Sequence, residues 1–85
     1  MEDKELFGKV FGQVLRDQRH KMGKTQEAFS ELMEWDDKHL GKVERGEKTP
    51  PFALTLYNLY TKTDISVDQL LDQIQEKLNS MKQDN

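Results

Sequence analysis

The chain has 85 residues, 34% apolar and 34% charged, with a formal charge of −3 and no cysteine. That length makes one small domain spanning 1–85 and leaves no room for a cleft between two lobes. The missing thiols exclude disulfides, zinc ribbons and thiol catalysis. The apolar stretches are too short for a membrane span of about 20 residues. The acidic opening Met1-Glu2-Asp3-Lys4-Glu5 is unlike the basic and then apolar start of a signal peptide, so a soluble, cytoplasmic protein is expected.

Apolar residues recur at helical steps almost everywhere. Leu6, Phe7, Val10, Phe11, Val14 and Leu15 form the stripe of a first helix, which the spacing ends near Met22, with Gly23 as a left-handed cap. Thr25 can N-cap a second, short helix carrying Ala28, Phe29, Leu32 and Met33, because its hydroxyl can accept from a free amide of the first turn. Glu34 and Trp35 interrupt the pattern. Asp36 is an N-cap for a third helix with Leu40 and Val43 inward and Gly46 as its stop. The stretch 47–51 reads as a loop whose prolines suit the start of a fourth helix, carrying Ala53, Leu56, Tyr57, Leu59 and Tyr60. Ser66-Val67-Asp68-Gln69 is a capping box opening a fifth helix over about 66–81. There is no strand signal, repeat or linker, so the fold expected is all-α.

Charge gives no direct lead to a partner. Residues 1–23 carry +1, residues 24–50 carry −2 and residues 51–85 carry −2, so no segment is a basic block. Nucleic-acid binding would have to come from the placement of a few cations rather than from composition.

Placement is where the sequence becomes informative. Phe11-Gly12-x-x-Leu15-Arg16-x-x-Arg19, then Gly23-x-Thr25-Gln26-Glu27, then Leu40-x-x-Val43-Glu44-Arg45-Gly46 resembles the Cro/repressor-type (Xre-like) helix-turn-helix family of bacteria and phages. Ile65 to Leu71 is similar to that family's closing helix. The resemblance covers roughly residues 11–71. It implies a compact five-helix, lambda-repressor-type domain with the helix-turn-helix at about 25–45, encoded by a bacterium, phage or plasmid.

A major groove about 12 Å wide admits one helix, which a neighbouring helix must brace across the phosphates. The resemblance makes helix 36–45 the reader. It implies that Asp37, Lys38 and His39 meet base edges or backbone in its first turn, with Lys42 a turn further on. Thr25 and Gln26 would hold a phosphate at a helix N-terminus, and Arg45 and Lys48 would grip the backbone beyond the reader. Each has a plainer reading. Any helix would choose Thr25 as a cap, Lys38 and Lys42 suit a solvated surface, and His39 fits either role. Gln26 has little structural reason to stand on an exposed first turn. Arg19 and Glu44 are expected, on the family pattern, to form a partly buried ion pair tying the first helix to the third, and Leu15, Phe29, Leu40, Val43 and Leu56 to lie in the core.

Three features work against tight DNA binding. Asp36 and Asp37 stand where the reader would enter the groove, each repelling a phosphate about 8 Å away by roughly 0.5 kcal/mol before salt screening. Glu34 replaces the glycine that the resembling family usually has at its left-handed turn position, which costs a non-glycine residue about 1 kcal/mol. Gly41 lies inside the reader, at about 1 kcal/mol relative to alanine. Trp35 is expected to anchor the turn.

Val67, Leu71, Ile74, Leu78 and Met81 step by four and three, with Leu70 widening the seam. Val67, Leu70 and Leu71 can join the core. Ile74, Leu78 and Met81 point either to a two-fold partner or to a long fifth helix folding back, and a dimer reading a palindrome favours the first. The function expected is therefore a sequence-specific regulator, a repressor binding double-stranded operator DNA as a homodimer, without cofactor or metal. The alternative is a protein-interaction module on the same fold. Catalysis is not expected: His20 and His39 are 19 positions apart, outside any metal-ligand spacing, and no phosphate loop or serine elbow occurs.

Overall fold

The computed structural model describes residues 3–83, and only the backbone of Asp3, Asp37, Lys82 and Gln83. Five helices follow one another: α1 (Asp3–Lys21), α2 (Gln26–Met33), α3 (Asp37–Glu44), α4 (Phe52–Lys62) and α5 (Val67–Gln83). Among the described residues there is no strand, and no helix is long and apolar enough to cross a membrane. The radius of gyration, 12.5 Å, is close to the roughly 12 Å of a compact chain this long.

The periodic residues account for the packing. Val10, Phe11, Val14 and Leu15 of α1 are fully buried, together with Phe29 of α2, Leu40 and Val43 of α3, Leu59 of α4 and Leu70 of α5. α1 is the central element, packed on α3 and α5, while α2 contacts α3 and α4. Phe52, at the start of α4, meets Phe7 and Phe11 edge-on, with ring centroids 5.1 and 5.4 Å apart, fixing the entry of α4 against α1. Leu56 is half-buried against this core.

The helix ends follow the capping residues. Gly23 stops α1 at φ 69°, where a β-carbon would be strained, and its amide donates to the His20 carbonyl at 2.9 Å. The Thr25 hydroxyl accepts from the Ala28 amide at 3.1 Å, the Asp36 carboxylate from the Lys38 amide at 2.8 Å, and the Ser66 hydroxyl from the Gln69 amide at 3.3 Å. Glu34 does adopt the left-handed conformation, at φ 59° and ψ 40°. Its carboxylate is ion-paired with Lys62 of α4, a contact that links the α2–α3 turn to the far end of α4.

Gly12 lets α1 and α3 touch. A β-carbon there would lie 2.1 Å from the Val43 carbonyl oxygen and 2.9 Å from that of Glu44. Neither backbone atom can move without moving α3. Beside this contact the Arg19 Nε donates to Glu44 Oε2 at 2.7 Å and its Nη2 to Glu44 Oε1 at 3.1 Å. The two side chains are 8% and 3% exposed, so the expected pair between α1 and α3 is present and is more deeply buried than the partly buried one expected.

The C-terminal seam is resolved differently from the dimer expectation. Ile74 is 3% exposed within the single chain, and Leu78 packs against the same core. α5 folds back along α1, held also by a hydrogen bond from Gln18 Nε2 to Gln73 Oε1 at 2.9 Å. Leu70, Ile74 and Leu78, at four-residue steps, share the face that α1 covers. Leu71 and Met81 lie off that face, each 38% exposed. Ile74 and Leu78 are thus occupied inside the chain, and of the three residues proposed for dimerisation only Met81 is open. Tyr57 and Tyr60, which the periodicity placed with the apolar residues of α4, point outward at 63% and 73% exposure.

Candidate nucleic-acid interface

α2 and α3 are joined by the three residues Glu34 to Asp36, and the turn is closed by the Trp35 amide donating to the Ser30 carbonyl at 2.8 Å. Trp35 packs half-buried against the core. Its ring meets His39 edge-on at 4.7 Å, so the indole that anchors the turn also sets the imidazole one turn into α3.

Two shallow grooves flank the exposed side of α3. Lys38, His39, Lys42 and Lys48 line one, with Glu34, Trp35, Asp36 and Pro51. Gln26, Lys38, Lys42 and Arg45 line the other, with Gly41 at its base. Six residues singled out from the sequence are therefore brought together: Gln26, Lys38, His39, Lys42, Arg45 and Lys48. Thr25 is not among the lining residues, and its hydroxyl is used as the α2 cap. Asp37 opens α3, but its side chain lies outside the described residues.

The grooves are lined by four cations and two carboxylates, Glu34 and Asp36. Both carboxylates are engaged. Asp36 caps α3, where the helix dipole favours a negative charge. Glu34 pairs with Lys62, and that partner holds its carboxyl below the usual range. A third acid, Glu47, acts directly on the site. Its carboxylate accepts from Arg45 Nε at 2.6 Å, which lowers the Glu47 pKa and raises that of Arg45. Arg45 meets any anion with its charge partly offset by this exposed partner, whereas Lys38, Lys42 and Lys48 have no carboxylate partner among the described residues.

Gln26 is held from within. Its Nε2 donates to Glu44 Oε1 at 2.9 Å, so the buried ion pair also orients the glutamine at the groove edge. Gly41 has a local explanation that the sequence did not supply. A β-carbon there would meet Arg45 Nη1 at 3.1 Å, so the missing side chain makes room for the guanidinium. His39 has its pKa lowered, first by partial burial and then by Lys48 and Lys42, against an opposing pull from Asp36. These causes favour its uncharged form.

Glu47 and Gly41 were missed as site residues. The Arg45–Glu47 contact crosses a turn, where helical spacing carries no information, and the role of Gly41 depends on a side chain four residues later. Among the described residues no group of three potential ligands could hold a metal ion. No family model matches this chain, and no curated protein or solved structure matches it. Fold and geometry define the class as an all-helical domain carrying a cation-lined ridge along one short helix.

Proposed function

We propose that the protein is a sequence-specific DNA-binding regulator, a repressor that lays α3 into the major groove of operator DNA. The carrying observation is the convergence of Lys38, Lys42, Arg45 and Lys48 on the two grooves beside α3, with both groove carboxylates engaged elsewhere. A polyanion responds to the local field, so a molecule of charge −3 can dock one through such a ridge. On this reading α2 braces α3 across the phosphates, Gln26 and the cations fix the register, and the first turn of α3 reads base edges. Occupying the operator would block transcription, with control through protein concentration or a partner. As drawn from the sequence, the regulator acts as a homodimer on a palindrome.

A salt titration of binding to duplex DNA tests this. Four phosphate contacts give a log–log slope of about −3.6, at roughly 0.9 per contact. Lys42→Glu should reduce the slope by about 1 and weaken binding at least about tenfold, while the melting temperature stays near that of the parent because Lys42 is exposed. No measurable affinity at about 50 mM salt, or an affinity untouched by Lys42→Glu, would refute the proposal. Retained binding to a protein would then favour an interaction module.

A further inference from the structure

α4 differs from the other helices in its solvent face. From Thr49 to Thr61 there is no charged residue, in a chain that is 34% charged. Thr55 and Leu59 are buried, and Phe52 and Leu56 pack against the core. The opposite side presents Ala53, Leu54, Tyr57, Tyr60 and Thr61, all exposed. Leu54 at 58%, Tyr57 at 63% and Tyr60 at 73% are the most exposed large hydrophobic residues among those described. At helical spacing they form one continuous patch. A merely solvated face would carry lysine and glutamate, and contiguous exposed apolar surface marks an interaction site.

We infer that this face binds a second copy of the same chain, α4 against α4 and antiparallel about a two-fold axis. The arrangement of the residues supports a self-complementary partner. Tyr57 is the midpoint of α4 (Phe52–Lys62), and Leu54 and Tyr60 stand three residues to either side. Antiparallel pairing about Tyr57 sets Tyr57 against Tyr57 of the partner subunit and Leu54 against Tyr60 of the partner subunit. Each contact then occurs twice, as an isologous interface requires. Charge points the same way. Two copies of charge −3 repel wherever they meet through acidic surface, whereas this face brings no like charges together. Lys62, at its edge, is already paired with Glu34 of its own chain.

The size of the patch sets the strength. At about 200 Å² for a whole large side chain, the three residues expose roughly 400 Å² per chain. Two copies with their rims reach about 1,000 Å², the lower bound for a specific interface. The dimer is therefore weak and concentration-dependent, in the micromolar range, and DNA carrying two sites would strengthen it. Pro51, the N-cap of α4, also lines the groove holding Lys38, Lys42 and Lys48, so antiparallel pairing through α4 sets the two cation ridges at opposite ends of the interface. Pairing does not rest on DNA binding.

Sedimentation equilibrium of the full chain without DNA, from about 5 to 500 μM, tests it. The average mass should rise with concentration from 10.0 kDa towards twice that value. Tyr57→Glu sets two carboxylates face to face across the axis and should hold the mass at the single-chain value with unchanged helical circular dichroism. Leu54→Lys and Tyr60→Glu should each abolish association, and the double variant should restore it, because opposite charges then meet across the axis. A parent chain that stays single throughout, or association that survives Tyr57→Glu, would overturn the inference. So would a double variant that stays single, or association removed by Met81→Glu alone, which would place the contact on α5.

Discussion

Replacing Glu44 by glutamine probes the contact on which the placement of α3 depends. The substitution keeps the shape and removes the charge. Arg19 then remains a cation whose side chain is 8% exposed, facing an amide that can accept one of the two hydrogen bonds Glu44 now receives from it. Gln26, which also donates to Glu44 at 2.9 Å, competes for the same oxygen. Stranding one member of a buried pair costs about 3–5 kcal/mol. A chain of this length has on the order of 4–13 kcal/mol in total, and each kcal/mol moves the midpoint by about 4–8 °C. Thermal denaturation followed by circular dichroism should show a midpoint roughly 12–40 °C lower. Arg19→Met combined with Glu44→Leu should regain most of that loss, since the penalty lies in the unpaired charge and not in the absent pair. A midpoint within about 5 °C of the parent for Glu44→Gln, or a double variant less stable than the single one, would refute the reasoning.

Three further outcomes follow from particular residues. Glu34→Gly relieves a left-handed backbone at φ 59° and forfeits only an exposed ion pair of small worth, so the melting temperature should rise by about 4 °C; a fall would show that the link to Lys62 outweighs the strain. Ser30 has a buried hydroxyl without a hydrogen-bond partner among the described residues, and Ser30→Ala should add about 0.5–1 kcal/mol in chemical denaturation, whereas destabilisation would mean that the hydroxyl is satisfied in solution. His39 has its pKa lowered by partial burial and by Lys48 and Lys42, so the free protein favours its neutral form and a phosphate beside it would raise the value again. Binding to DNA would then take up a proton. Affinity measured by fluorescence anisotropy should increase from about pH 8 to pH 6, mostly below the ordinary histidine value of about 6.5, and more than for His39→Gln. Equal pH dependence of parent and variant would remove His39 from the interface.

Helix content and most of the core were legible because both depend on local rules. The stripe Val10, Phe11, Val14 and Leu15 could be buried only as a helix. Thr25, Asp36 and Ser66 cap where short hydroxyl or carboxylate side chains must cap. Glycine at 23 marks a left-handed stop. The Arg19–Glu44 pair was legible only through the family resemblance, since nothing local to either residue reveals a partner across two helices.

Tertiary structure decided the allocation of faces. Periodicity showed that Ile74 and Leu78 needed an apolar partner, but whether α1 or another chain supplied it depended on the direction in which α5 left its turn. Tyr57 and Tyr60 fell on the helical pattern and yet face solvent, because the core behind α4 is filled by Thr55, Leu59, Phe52 and Leu56. The neutralisation of Glu34 by Lys62, and of Arg45 by Glu47, likewise required the folded turn and the far end of α4. Sequence alone determined that this chain is helical and which residues must leave water. Only the packed structure determined which neighbour each face received, because a hydrophobic stripe demands burial without naming the surface that buries it.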